Sequence, residues 1–346
     1  MPRPVSLWLL IAGLLSTAGV AVAAPTPHVA GDYVYEGAFD VGAPAAWDYA
    51  SFDAARGRLY LGHRDSISVI DPAARKLVGQ VGPLDEAHGI GIDAALGRGF
   101  ATSGGDGTLK EFDLADLHVI KSIAVGEDAD GVTFDAGTGV VIVALGDGKK
   151  LVLVDAATAA ITHQVDLPGA PEFVAADGHG RAFVNLTSTS QLARVDIASG
   201  RLEAVWTLTG CKGPHGLAYD HRTHRLFSGC GNAVVDAVDP ASGRVLATLP
   251  AGPRNDAILV DERRGRVFCP NGDGTLTVIG EGPHDAFTVL RTIPTFLGAR
   301  SGAIDPATGT LYLTYGDIQI TTGPGDPGGV RFGWDAARVA IFAPND

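Results

Sequence analysis

Beyond residue 32 the chain alternates apolar and polar side chains in short runs, with no long apolar stripe at helical spacing. Runs such as RLYLG (58–62), SISVID (66–71), LVLVD (151–155), VVDAVD (234–239) and RVFCP (266–270) are bounded by Gly, Asp, Asn and Arg-rich turns. This pattern predicts short strands joined by tight turns, and hence an all-β chain. The 47 glycines point the same way.

One stretch recurs: WDYASFD (47–53), AHGIGID (87–93), ADGVTFD (129–135), PEFVAAD (171–177), PHGLAYD (214–220), NDAILVD (255–261) and ARSGAID (299–305). Their closing aspartates, Asp53, Asp93, Asp135, Asp177, Asp220, Asp261 and Asp305, are spaced by 40, 42, 42, 43, 41 and 44 residues. Four short strands fit into each interval, which is the signature of a propeller blade. A string of separate four-stranded domains fails, because one such sheet could not bury its own faces. Seven units predict a seven-bladed β-propeller, a single domain over 24–346. The seventh unit has a third strand at 338–342 but no fourth, and the segment 33–41, YVYEGAFDV, has no blade of its own. Pairing the two closes the ring and removes the open sheet edges. Blade 7 also carries a Gly- and Pro-rich insertion at 316–335, which reads either as a lid over the channel or as a plain surface excursion.

Residues 1–23 follow another logic. Arg3, an apolar run over 5–15 and the small residues Ala21, Val22 and Ala23 match a secretory signal peptide cleaved after Ala23, and the run is too short to span a bilayer. The expectation is a periplasmic or secreted, monomeric protein without a transmembrane segment. Charge refines this. The chain has 26 cations against 39 acidic residues, and losing the leader removes Arg3 alone, leaving 25 against 39, or −14. Such a surface disfavours nucleic acid and anionic membranes.

Five residues before each closing aspartate stand Asp48, His88, Asp130, Glu172, His215, Asp256 and Arg300, with no apolar residue among them. Inner strands of a propeller line its channel, so these seven should meet at the channel mouth. Carboxylates beside imidazoles suit a divalent metal (Ca²⁺, Mg²⁺, Mn²⁺ or Zn²⁺), with Asp48, His88, Asp130, Glu172, His215 and Asp256 as candidate ligands. Asp48, Glu172, Arg300 and the turn residue His63 are candidates for holding a small molecule, Arg300 by pairing with a carboxylate. His88 and His215 are candidate general bases. A hydrogen-bonded polar collar without a ligand is the plain alternative. The closing aspartates, and Asp71, Asp113, Asp155, Asp196 and Asp239 before the outer turns, read as turn caps, because aspartate bonds nearby backbone amides. Asn185-Leu-Thr187 matches a glycosylation acceptor, which carries little weight behind a bacterial-looking leader.

The stretch CKGPHGLAYDHRTHRLFSGC (211–230) imitates a zinc finger. A strand at about 3.3 Å per residue puts His221 roughly 20 Å from His215, too far for one zinc ion. Cys211, in the loop leading into blade 5, and Cys230, ending its second strand, fall at one face. In an oxidising compartment they form a disulfide; two buried thiols is the alternative. Cys269 is left as a small core residue.

Asp48-Tyr49, His88-Gly89, Pro171-Glu172, Cys211…Pro214-His215-Gly216, Cys230-Gly-Asn232, Asn271-Gly-Asp-Gly-Thr-Leu-Thr-Val278 and Gly298-Ala-Arg300 together resemble the YVTN-type β-propellers, the YncE-like group of exported bacterial proteins, over nearly the whole mature chain. The resemblance implies the propeller fold and export. Related propellers include metal-assisted lactonases and lyases, so it also admits a hydrolase or lyase at the channel mouth beside a ligand- or metal-binding propeller and a protein-interaction scaffold. No Cys-x-x-Cys-His haem attachment motif occurs. N-terminal sequencing of the exported protein should begin at Ala24; an intact Met1 on the exported chain would refute the leader.

Overall fold

The computed structural model describes residues 33–44, 46–321, 329–332 and 336–345. The leader at 1–23 lies outside the described residues. Seven four-stranded antiparallel sheets are present, with β-structure dominating and only two single-turn 3₁₀ segments among the described residues. Each of the first six is built from consecutive strands, innermost first. In blade 3 these are Ala129–Asp135, Val140–Leu145, Lys150–Asp155 and Ala160–Asp166. The innermost strands neighbour one another in cyclic order from blade 1 through blade 7 and back to blade 1.

The hydrophobic pattern follows from the layering. The two middle strands of blade 3 are buried along nearly their whole length, because neighbouring blades cover both faces. Val141, Val143, Val152 and Val154 face Phe100 and Leu109 of blade 2, whereas Ile142, Ala144, Leu151 and Leu153 face Val174, Val184 and Leu186 of blade 4. Alternate side chains thus feed two different inter-blade cores, and each Val, Leu or Ile so buried contributes about 1.5–3 kcal/mol. The outer strand Ala160–Asp166 is largely exposed, which is why it reads as polar.

Blade 7 has the order Ser301–Ile304, Leu311–Tyr315, Ala337–Pro344, Tyr33–Gly42 from the axis outward. The N-terminal strand is therefore its fourth, with Tyr33 opposite Pro344 and Asp40 opposite Arg338. Tyr33 also locks this strand to blade 6: its hydroxyl donates to Asp261 Oδ2 at 2.8 Å and its ring meets Phe268 edge-on at 4.6 Å. In the insertion of blade 7, Ile318–Thr321 pairs with Gly329–Phe332 as a hairpin; the rest of 316–335 that would decide a lid lies largely outside the described residues.

Cys211 and Cys230 form a disulfide, with Cα atoms 5.3 Å apart, that ties the loop leading into blade 5 to its second strand. Cys269 is a buried free thiol donating to Asn271 Oδ1 at 3.4 Å. The repeating aspartates cap turns. Asp53 accepts from the Ala55 and Arg56 amides, Asp93 from Ala95 and Leu96, and Asp71 from Ala74. His221 and His224 lie beyond the far end of Pro214–Asp220, on Glu262 and Tyr219 respectively, away from His215.

One buried acid pair joins blades 5 and 6. The Glu281 side chain is 1% exposed and Asp220 fully buried, with Arg222 Nη2 at 3.2 Å from Glu281 Oε1 and 3.6 Å from Asp220 Oδ2. Burial, then a hydrogen bond and repulsion from Asp220, push the Glu281 carboxyl up to about 8, against Thr223 and Arg222. Between its ordinary value of 4.5 and about 8 the folded chain holds a proton that the unfolded chain has lost. Stability from this group is therefore whole below 4.5 and drains away as pH rises through about 8. At pH 8.5 Glu281→Gln should melt about 1–2 °C above the parent, the shift of roughly 1 kcal/mol in a chain of this size, and near pH 4.5 the two should coincide. Equal melting temperatures across the whole range would refute the shared-proton account.

Candidate functional site

In blades 2 to 5 the pairing of the innermost strand with the second strand breaks at the same place, between Ala87 and Ile90, Ala129 and Val132, Pro171 and Val174, and Pro214 and Leu217. The residues skipped include His88, Asp130, Glu172 and His215. A bulge adds a residue on one strand and re-aims its side chain, here into the channel mouth. Asp48, Asp256 and Arg300 reach the same mouth from loops just ahead of their strands, Ala50–Asp53, Leu259–Asp261 and Ser301–Ile304.

Polar residues elsewhere in the blades hold these backbones in place. Thr102 donates to the Asp130 carbonyl at 2.6 Å, Asn185 to the His215 carbonyl at 2.9 Å, and Ser301 to the Asp48 carbonyl at 3.0 Å. Asn185 is fully buried in this role, so it presents no glycosylation acceptor. Two glycines make room: a Cβ on Gly104 would lie 2.7 Å from His88 Nε2, and one on Gly131 2.5 Å from the Glu172 carbonyl oxygen.

The seven side chains gather into two triads and an outlier. His88 Nδ1 lies 2.5 Å from Asp48 Oδ2 and 3.6 Å from Asp130 Oδ1. His215 Nδ1 lies 3.5 Å from Glu172 Oε1 and 3.9 Å from Asp256 Oδ1. Within each triad one ligand atom per residue falls within 4.8 Å of the others. Arg300 Nε stands 3.3 Å from Asp256 Oδ2. His63 is elsewhere. It is 2% exposed, and its two ring nitrogens meet Ser68 Oγ at 2.8 Å and the Pro44 carbonyl at 2.6 Å, so it serves as a turn anchor.

Crowded charge sets the protonation. Burial would push the His88 imidazole down, but the Asp48 hydrogen bond, backed by the charges of Asp48, Asp130 and Asp128, lifts it to about 9. The Glu172 carboxylate likewise raises His215 against burial. Burial, with Asp48 and Glu172 nearby, pushes Asp130 well above the usual carboxylate range. Burial also lifts Asp256 to about 6, although Arg300 opposes it. Glu172 goes the other way: burial would raise it, yet His215, Tyr49 and Arg300 hold it below its ordinary value.

Tyr49 carries a role that sequence reasoning left unassigned. It leaves blade 1, is 5% exposed, donates its hydroxyl to Glu172 Oε1 of blade 4 at 3.0 Å, and meets Phe173 edge-on at 5.0 Å. Burial and the four carboxylates Asp130, Glu172, Asp48 and Asp256 raise its hydroxyl pKa well above the ordinary value. The signal was present in the repeat: the residues after the seven mouth positions are Tyr49, Gly89, Gly131, Phe173, Gly216, Ala257 and Ser301, two aromatics among five small residues. A cleft of about 450 Å³ between blades 1 and 2, lined by Trp47, Arg64, Asp65, Asp85 and Glu86, opens onto Asp48 and His88.

No family model matches the chain, and no curated protein does. Solved structures do. The WD40 repeats of RRP9 superpose with a TM-score of 0.77 at 11% identity, covering 93% of this chain and 99% of that one. U3-55K gives 0.73 at 11% identity over 90% and 98%, and Kuenenia stuttgartiensis hydrazine synthase 0.68 at 13% over 79% and 93%. At such identities the likeness is one of fold. The chain is a seven-bladed β-propeller with WD40-repeat neighbours.

Tyr49→Ala removes both the Glu172 hydrogen bond and the packing on Phe173. It should cost about 3–5 kcal/mol in urea unfolding, against about 1 kcal/mol for Tyr49→Phe, which keeps the ring. Equal losses would show that the ring contributes nothing.

Proposed function

We propose that this chain is an exported propeller of the YVTN-type group that binds a divalent cation at the channel mouth, and through it a small ligand. The observation that carries the reading is the pair of carboxylate–imidazole–carboxylate triads, Asp48/His88/Asp130 and Glu172/His215/Asp256, each with ligand atoms within 4.8 Å of one another. Oxygen and imidazole donors in that mixture suit Mn²⁺ or Zn²⁺ better than Ca²⁺, which prefers an all-oxygen shell. Arg300, 45% exposed beside Asp256, is placed to meet an anionic group of the ligand. Export rests on the leader pattern, and the Cys211–Cys230 disulfide is compatible with an oxidising compartment.

A metal-assisted hydrolase or lyase at the same site is a second reading, favoured by the Asp48–His88 contact, since a carboxylate on one imidazole nitrogen orients the ring for proton transfer. The third, an interaction scaffold, draws on the propeller fold itself and on the acidic surface. Among the described residues no helix is long and apolar enough to cross a membrane.

Metal analysis of protein purified without chelators, followed by calorimetric titration with Mn²⁺ and Zn²⁺, tests the shared premise. Binding in the micromolar range or tighter is expected, weakened at least tenfold by His88→Ala. Parent and variant binding alike, or neither binding, would sink the proposal.

A further inference from the structure

Blades 1–3 and blades 4–6 carry the same three-step pattern at the mouth. An acid precedes an aromatic in Asp48-Tyr49 and Glu172-Phe173; a histidine precedes glycine in His88-Gly89 and His215-Gly216; an aspartate precedes a small residue in Asp130-Gly131 and Asp256-Ala257. Blade 7, with Arg300-Ser301, stands outside the pattern. The geometry repeats as well. In both halves the central imidazole turns Nδ1 toward the two flanking carboxylates, at 2.5 and 3.6 Å in the first triad and 3.5 and 3.9 Å in the second.

We infer that the mouth holds two divalent cations, one in each triad, rather than one shared ion. This rests on the cation-binding reading above and adds the number and rank of the sites. Ligands of one ion at bond lengths of about 2.0–2.5 Å must lie within about 4–5 Å of one another. Among the described residues that condition is met inside each triad, and no group mixing the two triads meets it. Tyr49, which follows Asp48 of the first triad, reaches Glu172 of the second at 3.0 Å and meets Phe173 ring to ring at 5.0 Å, so aromatic side chains stand between the triads. His215 Nδ1 supplies a second indication: the atom is buried, has no hydrogen-bond partner, and faces both Glu172 and Asp256.

The two sites differ in strength. In the first, the ion pairs of Asp48, His88 and Asp130 among the described residues are with one another, and the 450 Å³ cleft, which Arg64 also lines, opens onto Asp48 and His88. In the second, Glu172 already accepts the Tyr49 hydroxyl, and Arg300 lies 3.3 Å from Asp256, where its charge repels an incoming cation. The first triad is the tighter site.

The test is titration of Mn²⁺ into metal-free full-length protein, read by calorimetry and by electron paramagnetic resonance. Two ions per chain are expected, with dissociation constants at least about tenfold apart, and dipolar broadening once both are bound. Asp130→Asn should remove the tight site alone and Asp256→Asn the weak one, each leaving one ion and no broadening. Arg300→Gln should tighten the weak site by about tenfold. His88→Gln and His215→Gln, one per triad, replace either variant that fails to give a cooperative melt. One ion per chain, lost in both single-triad variants, would overturn the two-site inference and leave the cation-binding reading standing. A parent that binds neither Mn²⁺ nor Zn²⁺ would remove both.

Discussion

Closure of the ring is the constraint on which the rest depends. A propeller blade buries both faces of its middle strands only while a neighbour stands on each side, and blades 7 and 1 would lack that support in an open array. Pairing Tyr33–Gly42 along Ala337–Pro344 supplies the missing outer strand. Tyr33 then couples that strand to Asp261 and Phe268 of blade 6. One strand from the start of the domain thus fastens its end, and side chains from blades 1 and 6, more than 200 residues apart, come to face one channel.

Bringing seven polar side chains to one axis creates an electrostatic problem. Four carboxylates cannot share so small a volume uncompensated. The chain answers by interleaving cations: an imidazole between Asp48 and Asp130, another between Glu172 and Asp256, and a guanidinium beyond Asp256. Burial, reinforced by the neighbouring carboxylates, lifts Asp130 and Asp256 despite those cations, while Glu172, bonded to Tyr49 and beside His215, is lowered against its own burial.

Much of this was legible in the sequence. The repeat of 40–44 residues and the period-two apolar runs point to seven blades, and the missing fourth strand in the last unit points to 33–41. The mouth positions were legible because they hold a constant offset from the closing aspartates. Their grouping was not, because it depends on bulges at His88, Asp130, Glu172 and His215, and a bulge leaves no mark in a hydrophobic pattern. His63 shows the opposite failure. Its turn position suggested the mouth, but Ser68 and the Pro44 carbonyl take both nitrogens. Tyr49, noted only as part of the Asp48-Tyr49 motif, was given no role of its own because one aromatic beside a strand looks like core, until the residues at that position are compared blade by blade.

The three fold likenesses described, at 11–13% identity, say nothing about this mouth, because the propeller is set by inter-blade packing that many sequences satisfy. What distinguishes this chain is chemistry at positions the fold leaves unconstrained. A channel mouth is wet, so packing does not dictate charge there, and a random polar collar would show no order around the ring. Here the order acid, histidine, acid occurs twice, with an aromatic following the leading acid each time and the two aromatics in contact. Turn capping does not explain it, since the closing aspartates already perform that task in every blade. Inter-blade packing does not explain it either, since the five small residues at the neighbouring position satisfy the close backbone approach. Two imidazoles each held between two carboxylates balance the charge gathered at the mouth, and this repeated order is the ground on which the cation-binding proposal stands.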